Sequence, residues 1–236
     1  MLSPSTPFEI SSTQQVALGH RYAQDSTNRV WFYSEAGAST LDRGKLAVAA
    51  TVDAQRINLS FSVAPAIGDT EVSVTIGSGN AAANDFRDGY LVVQDGLGEG
   101  RFYPIEGHGA ITASTVGKIK LREAIDTVSA ITVANVDLLK NKYKDLVISV
   151  ADQADPVAGF PNVSITADYF GWTQTWGPCS VWFDEAVVAG AALTIGTGTV
   201  GQVEMLDAAG EPLLGHVGMN AGVDTEYQLV NLCITR

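Results

Sequence analysis

The sequence predicts an all-β protein, with β-barrel or sandwich-like domains built on Gly-rich hairpins and an extended N-terminal arm. Three observations carry this. Several segments alternate apolar and polar residues with period two, as a half-buried strand requires. Twenty-four glycines punctuate the chain, while charged residues make up only 17% of its 236 positions, which suits strands and tight turns better than surface-charged helices. Windows long enough for a helix are interrupted by Gly or by β-branched runs.

Residues 1–14 are rich in Ser, Thr and Pro and read as an extended arm that cannot build a core of its own. Phe8 and Ile10 are its apolar exceptions. They are candidate contacts to a neighbouring subunit, or back to the arm's own domain. Residues 15–55 read as a β unit, with a strand at Arg29–Tyr33, a Glu-Ala-Gly-Ala turn, and a second strand within Leu41–Val52. The tripeptide Val30-Trp31-Phe32 returns as Val181-Trp182-Phe183, which points to pairing of this unit with the C-terminal region.

Residues 56–151 are expected to form a middle β domain. Ile57, Leu59, Phe61 and Val63 share one strand face, and Val72, Val74 and Ile76 repeat the period. Tyr90–Val93 and Arg101–Ile105 flank Gly96, Gly98 and Gly100 as a hairpin. Further strands are expected at Lys118–Leu121, Ala130–Val136 and Leu146–Val150. Asn135–Leu146 is the best helix candidate. Residues 152–163, with two prolines and a glycine, read as a linker into a C-terminal β domain over 164–236.

Fourteen Lys and Arg against 26 Asp and Glu give a formal net charge of -12, so the surface repels nucleic acid and no nucleic-acid partner is expected. Lys140, Lys142 and Lys144 read as a solvated turn. No run of apolar residues is long enough for a membrane span, and the first residues lack the basic and apolar regions of a signal peptide. Cys179 and Cys233 read as buried free thiols.

Chemical motifs are sparse. His20, His108 and His216 lack a second ligand at metal spacing, so no metal site is expected. Gly96, Gly98 and Gly100 precede a strand, and a pyrophosphate needs a helix N-terminus there, so no nucleotide cofactor is expected either. Neither a nucleophile elbow nor a phosphate-loop lysine occurs, and no catalytic residue is assigned. A hydrolase would have to rest on an acidic pair such as Asp184 with Glu185, or Glu123 with Asp126, and these read as solvated turns. Trp172 and Trp176, within Tyr169–Pro178, could instead set two indoles on one strand face as a sugar platform, or be core.

Three stretches carry a family likeness. The first is Leu18-Gly19-His20-Arg21-Tyr22 leading to Arg29–Tyr33, Gly37, Leu41 and Gly44-Lys45-Leu46. The second runs from Asp88–Val93 through Gly98–Ile105. The third joins Tyr169–Trp172 and Gln174–Pro178 to Val188-Ala189-Gly190, Ile195–Gly201 and the closing Leu214–Gly218 before Tyr227–Ile234. Together they resemble bacteriophage capsid decoration, or cement, proteins and related minor head proteins.

The resemblance implies a non-enzymatic structural virion protein, made in the host cytoplasm and bound to the outer surface of the phage head. Its partners would be the major capsid protein and further copies of itself, with a homotrimer as one arrangement. The arm would order on a neighbouring subunit, through Phe8 and Ile10. The alternative is a carbohydrate-binding β module of a phage surface or fibre-associated protein, acting through Trp172 and Trp176 and requiring both indoles to be exposed.

Overall fold

The computed structural model describes residues 6–127, 135–150, 155–221 and 223–236. The fold is all-β and divides into two compact units, residues 1–50 with 142–236 and residues 51–141. The second unit is thus inserted into the first.

The chain opens with β1 (Arg21–Gln24), β2 (Arg29–Glu35) and β3 (Ala47–Val48). β1 and β2 pair antiparallel, Arg21 opposite Phe32, and Asn28 closes the turn between them at φ 53, a left-handed value that Asn tolerates. Only Ala47–Val48 of the expected Leu41–Val52 strand joins a ladder, because Asp42–Lys45 is folded into a turn.

The inserted unit holds β4 (Leu59–Phe61), β5 (Glu71–Thr75), β6 (Tyr90–Val93), β7 (Phe102–His108), β8 (Val116–Leu121) and β9 (Asn135–Leu139), closed into a barrel in the order β4-β5-β8-β7-β6-β9. Alternation builds it directly. Gly117, Ile119 and Leu121 of β8 point inward while Val116, Lys118 and Lys120 face out, and one apolar core running from Leu59 to Leu138 fills the interior. Gly96, Gly98 and Gly100 all take positive φ in the β6–β7 connection.

The helix expected over Asn135–Leu146 does not form. Val136 and Leu138 enter the barrel core at period two, which a helix could not supply, and Asp137 is buried between them, accepting the Asn58 N–H at 2.9 Å. Most of the strand expected at Ala130–Val136 lies outside the described residues. The inserted unit spans 51–141, in place of the expected 56–151.

The first unit resumes with β10 (Val147–Ile148), β11 (Val157–Pro161), β12 (Phe170–Trp182), β13 (Ala192–Ile195), β14 (Val203–Met205), β15 (Gly215–Val217) and β16 (Tyr227–Cys233). These complete a curled half-barrel sheet in the order β10-β3-β11-β12-β16-β15-β13-β14, with β2 also on β12. β11 lies inside the expected 152–163 linker, of which residues 152–154 are outside the described set. Its Ala158 and Phe160 are fully buried, so the Pro and Gly there punctuate a core strand and mark no linker.

The 13-residue β12 is the spine. Gln174 pairs with Trp31 on one side and Phe160 on the other, and Trp176 pairs with Val30 and Cys233. The register slips between Gln174 and Trp176, a β-bulge that Gly177 makes possible at φ 80.

Candidate interaction surface

The arm is pinned at two points of its own unit. Ser11 exchanges both backbone hydrogen bonds with Phe170, at 2.9 and 2.8 Å, and the Gln15 N–H donates to the Tyr33 hydroxyl at 3.0 Å. Between the pins and the described start of the chain, Pro7 is buried while Phe8 and Ile10 stay 52% and 42% exposed. Phe8 sets its edge against Trp31 at 6.4 Å and walls a groove of about 390 Å³ with Arg43, Asn162, Ser180 and Tyr227. Arm and groove are therefore continuous at Phe8, which packs on the buried Trp31.

Arg29 holds that surface from below. Its guanidinium lies 4.5 Å from the Trp31 ring centroid and 5.7 Å from that of Phe8, and donates to Gln174 Oε1 through Nε at 3.1 Å and Nη2 at 2.6 Å. Gln174 is fully buried, and its amide donates to the Trp176 and Pro178 carbonyls, both at 2.9 Å. Burial pulls the Arg29 pKa down from its ordinary value. Sequence reasoning passed over this pair; the available signal was a lone Gln amid an aromatic-rich apolar strand, which must find partners if buried.

Trp172 and Trp176 do not form a sugar platform. Trp172 is 0% exposed, packed in a cluster with Leu18, Trp31 and Tyr33, so neither ring face meets solvent. Trp176 is half-buried beneath Arg236, whose guanidinium sits 5.6 Å from its ring centroid. The bulge between Gln174 and Trp176 breaks the even spacing that would have aligned them.

Trp182 and Tyr227 form a second aromatic pair, with rings 4.7 Å apart and edge to face, which local sequence pattern does not bring together. Arg43 and Lys45 lie over these rings, and the Tyr227 hydroxyl donates to the Arg43 carbonyl at 3.0 Å. The pair clamps the Asp42–Lys45 turn, since a Cβ on Gly44 would fall 2.6 Å from the Tyr227 ring.

The remaining polar groups are mostly tied to backbone. Asp184 accepts the Gly198 and Thr199 N–H groups at 2.5 and 3.2 Å, and Glu185 accepts that of Met205 at 2.8 Å. Asp126 accepts the Tyr103 hydroxyl at 2.7 Å and pairs with Arg101 at 3.1 Å. His20 lies edge-on to Trp172 at 6.3 Å, His108 is buried against Phe86, and His216 sits in β15. No group of His, Cys, Asp or Glu among the described residues could hold a metal.

Lys144 is no solvated turn residue: only 14% exposed, it pairs with the equally buried Glu35 at 2.7 Å. Both cysteines are free, and burial pushes the Cys179 thiol up to about 12. No helix among the described residues is long and apolar enough to cross a membrane. No protein-family model, curated protein or solved structure matches the chain.

Proposed function

We propose that the protein is a structural capsid decoration protein, binding the outer surface of a phage head and stabilising the shell, with the major capsid protein as its partner. The observation that supports this most is the arm. It is fixed by paired backbone hydrogen bonds at Ser11, yet turns Phe8 and Ile10 outward beside an aromatic and cationic groove. A docked arm has already lost much of its conformational entropy, so apolar side chains it presents bind at lower cost than those on a free tail.

The net charge of -12 fits an exterior position away from packaged DNA. Repetition of one weak contact over many lattice positions, or within a homotrimer, would multiply attachment. The work is burial of surface between subunits, with no bond made or broken.

Cosedimentation of the purified protein with empty capsids of its phage tests the proposal. Saturable occupancy and a shell that resists heat better are expected. The double variant Phe8→Ser with Ile10→Ser should stay folded, because both side chains are exposed, and should lose about tenfold or more in affinity. Absence of saturable binding by the folded wild type overturns the decoration role, and unchanged binding by the variant removes the arm from it.

A further inference from the structure

Two Asp-Gly pairs lie in the barrel unit, Asp88-Gly89 and Asp95-Gly96. Such a pair can be altered by its own atoms, because glycine sets no side chain beside the peptide nitrogen that follows the aspartate carboxyl. The fold treats the two pairs differently.

Asp95 is exposed in the β6–β7 connection, and the Gly96 N–H donates to its Oδ1 at 2.7 Å. That is the N–H group's only hydrogen bond among the described residues, so the nitrogen rests against the carboxyl and is free of the strand ladders. The bonds that close the hairpin lie elsewhere, the Gly100 N–H donating to the Val93 carbonyl at 2.9 Å and the Val93 N–H to the Arg101 carbonyl at 2.8 Å.

In Asp88-Gly89 the same groups are engaged by other partners. Asp88 is 9% exposed and its carboxylate pairs with Arg122. The Gly89 N–H donates to the Phe86 carbonyl at 3.0 Å, and a Cβ on Gly89 would fall 2.1 Å from the Leu139 carbonyl oxygen, so the backbone there has no room to turn.

We propose that Asp95 is a site of spontaneous isomerisation to isoaspartate, by ring closure onto Gly96, and that the fold protects Asp88 from the same reaction. The Gly96 nitrogen attacks Asp95 Cγ, and its proton leaves with the carboxyl hydroxyl as water. Holding both groups within one chain is what lets so weak a nucleophile react. Water then opens the five-membered imide. Opening at Cγ restores aspartate; opening at the Asp95 main-chain carbonyl breaks the original peptide bond, frees that carbon as a carboxylate and carries the chain through Cβ and Cγ. The neutral carboxyl is the electrophile, so the proton it takes up before closure is released after opening. One water leaves and one enters, and no oxidant or cofactor is needed. The added methylene falls between the paired segments Tyr90–Val92 and Phe102–Pro104, so the barrel ladder is kept.

Warm incubation of the full-length protein at neutral pH in heavy-oxygen water tests this, followed by digestion in ordinary water and mass mapping. Cleavage after Tyr90 puts the two pairs on separate peptides. The Asp95 peptide should split into aspartate and isoaspartate forms, both gaining heavy oxygen, at least about tenfold faster than the Asp88 peptide takes up label, because Asp88 reacts only when its surroundings open. In urea, which removes both environments, the two peptides should react alike. Asp95→Glu keeps the exposed charge and would have to close a six-membered ring, so its peptide should lose the isoaspartate signal while the fold is unchanged.

No isoaspartate and no label at Asp95 in the folded protein overturns the proposal. Equal reaction of both pairs in the folded protein overturns it too, since the dipeptide alone would then set the rate. An undiminished signal in Asp95→Glu would assign the reaction to another residue. None of these outcomes depends on attachment to a capsid.

Discussion

The fully buried Gln174 side chain ties two strands of the first unit together. It joins the Arg29 guanidinium on β2 to the Trp176 and Pro178 carbonyls beside the bulge in β12. Replacing it by Leu leaves both sides without partners, and Gln174→Leu is expected to cost about 2–3 kcal/mol in urea denaturation. Arg29→Lys, which keeps the charge and loses the fork, should cost less.

In the barrel, His108 is held neutral. Its Nε2 accepts the Phe86 N–H at 3.0 Å, so the proton sits on Nδ1, 2.7 Å from the Gly109 carbonyl oxygen. Burial lowers its pKa below the ordinary 6.5, against weaker opposing pulls from the Gly109 carbonyl and then Asp85. As pH falls through 6.5 the unfolded chain takes up the proton first, so stability is complete above that value and is lost below it, towards the folded pKa. The denaturation midpoint of the barrel should drop between pH 7.5 and pH 5 by more in wild type than in His108→Gln. Equal drops would show that His108 is not the titrating group.

Among the elements, β12 carries the bulge and pairs with β2, β11 and β16. A Cβ on Gly177 would lie 2.0 Å from the Asn28 carbonyl oxygen, whereas Gly190, at a similar positive φ, has nothing near it. The two separate clash from backbone strain. Gly190→Ala should cost about 1 kcal/mol, the strain alone, and Gly177→Ala about 3 kcal/mol or more, or fail to fold.

How far these elements could be read from the sequence follows the same physics. Strands with one wet face, such as β5 and β8, declare themselves by alternation. β11 is buried along most of its length and carries Gly159 and Pro161, so its pattern looks like a connection. β9 was open to a helical reading because its short apolar run has no period until the barrel supplies one. Phe8 and Ile10 were legible as odd apolar residues in a polar arm; the groove beside them was not, because Asn162, Ser180 and Tyr227 are brought together only by long-range pairing.

At the scale of the molecule, each apolar cluster belongs wholly to one unit, the barrel's from Leu59 to Leu138 and the other three to the enclosing sheet. The barrel's first and last strands are neighbours, Leu59 opposite Val136, so its ends leave side by side. Residues 51–141 expressed alone are therefore expected to fold with a cooperative transition of their own, and calorimetry of the full chain should resolve two transitions. A single transition together with an unfolded fragment would show that the barrel needs its host.

The insertion also sets a timetable for synthesis. Arg29 and Gln174 are 145 residues apart, and everything between them, including the whole barrel, must leave the ribosome before β2 meets its spine. At about 5–20 residues per second that is a wait of roughly 7–30 s. During it the Trp31 hairpin has no partner for its apolar side, while the barrel can already close. The nascent chain thus carries a finished downstream domain and an unfinished upstream one, the reverse of the usual order, and its N-terminal hairpin is the segment most in need of shielding until β12 arrives.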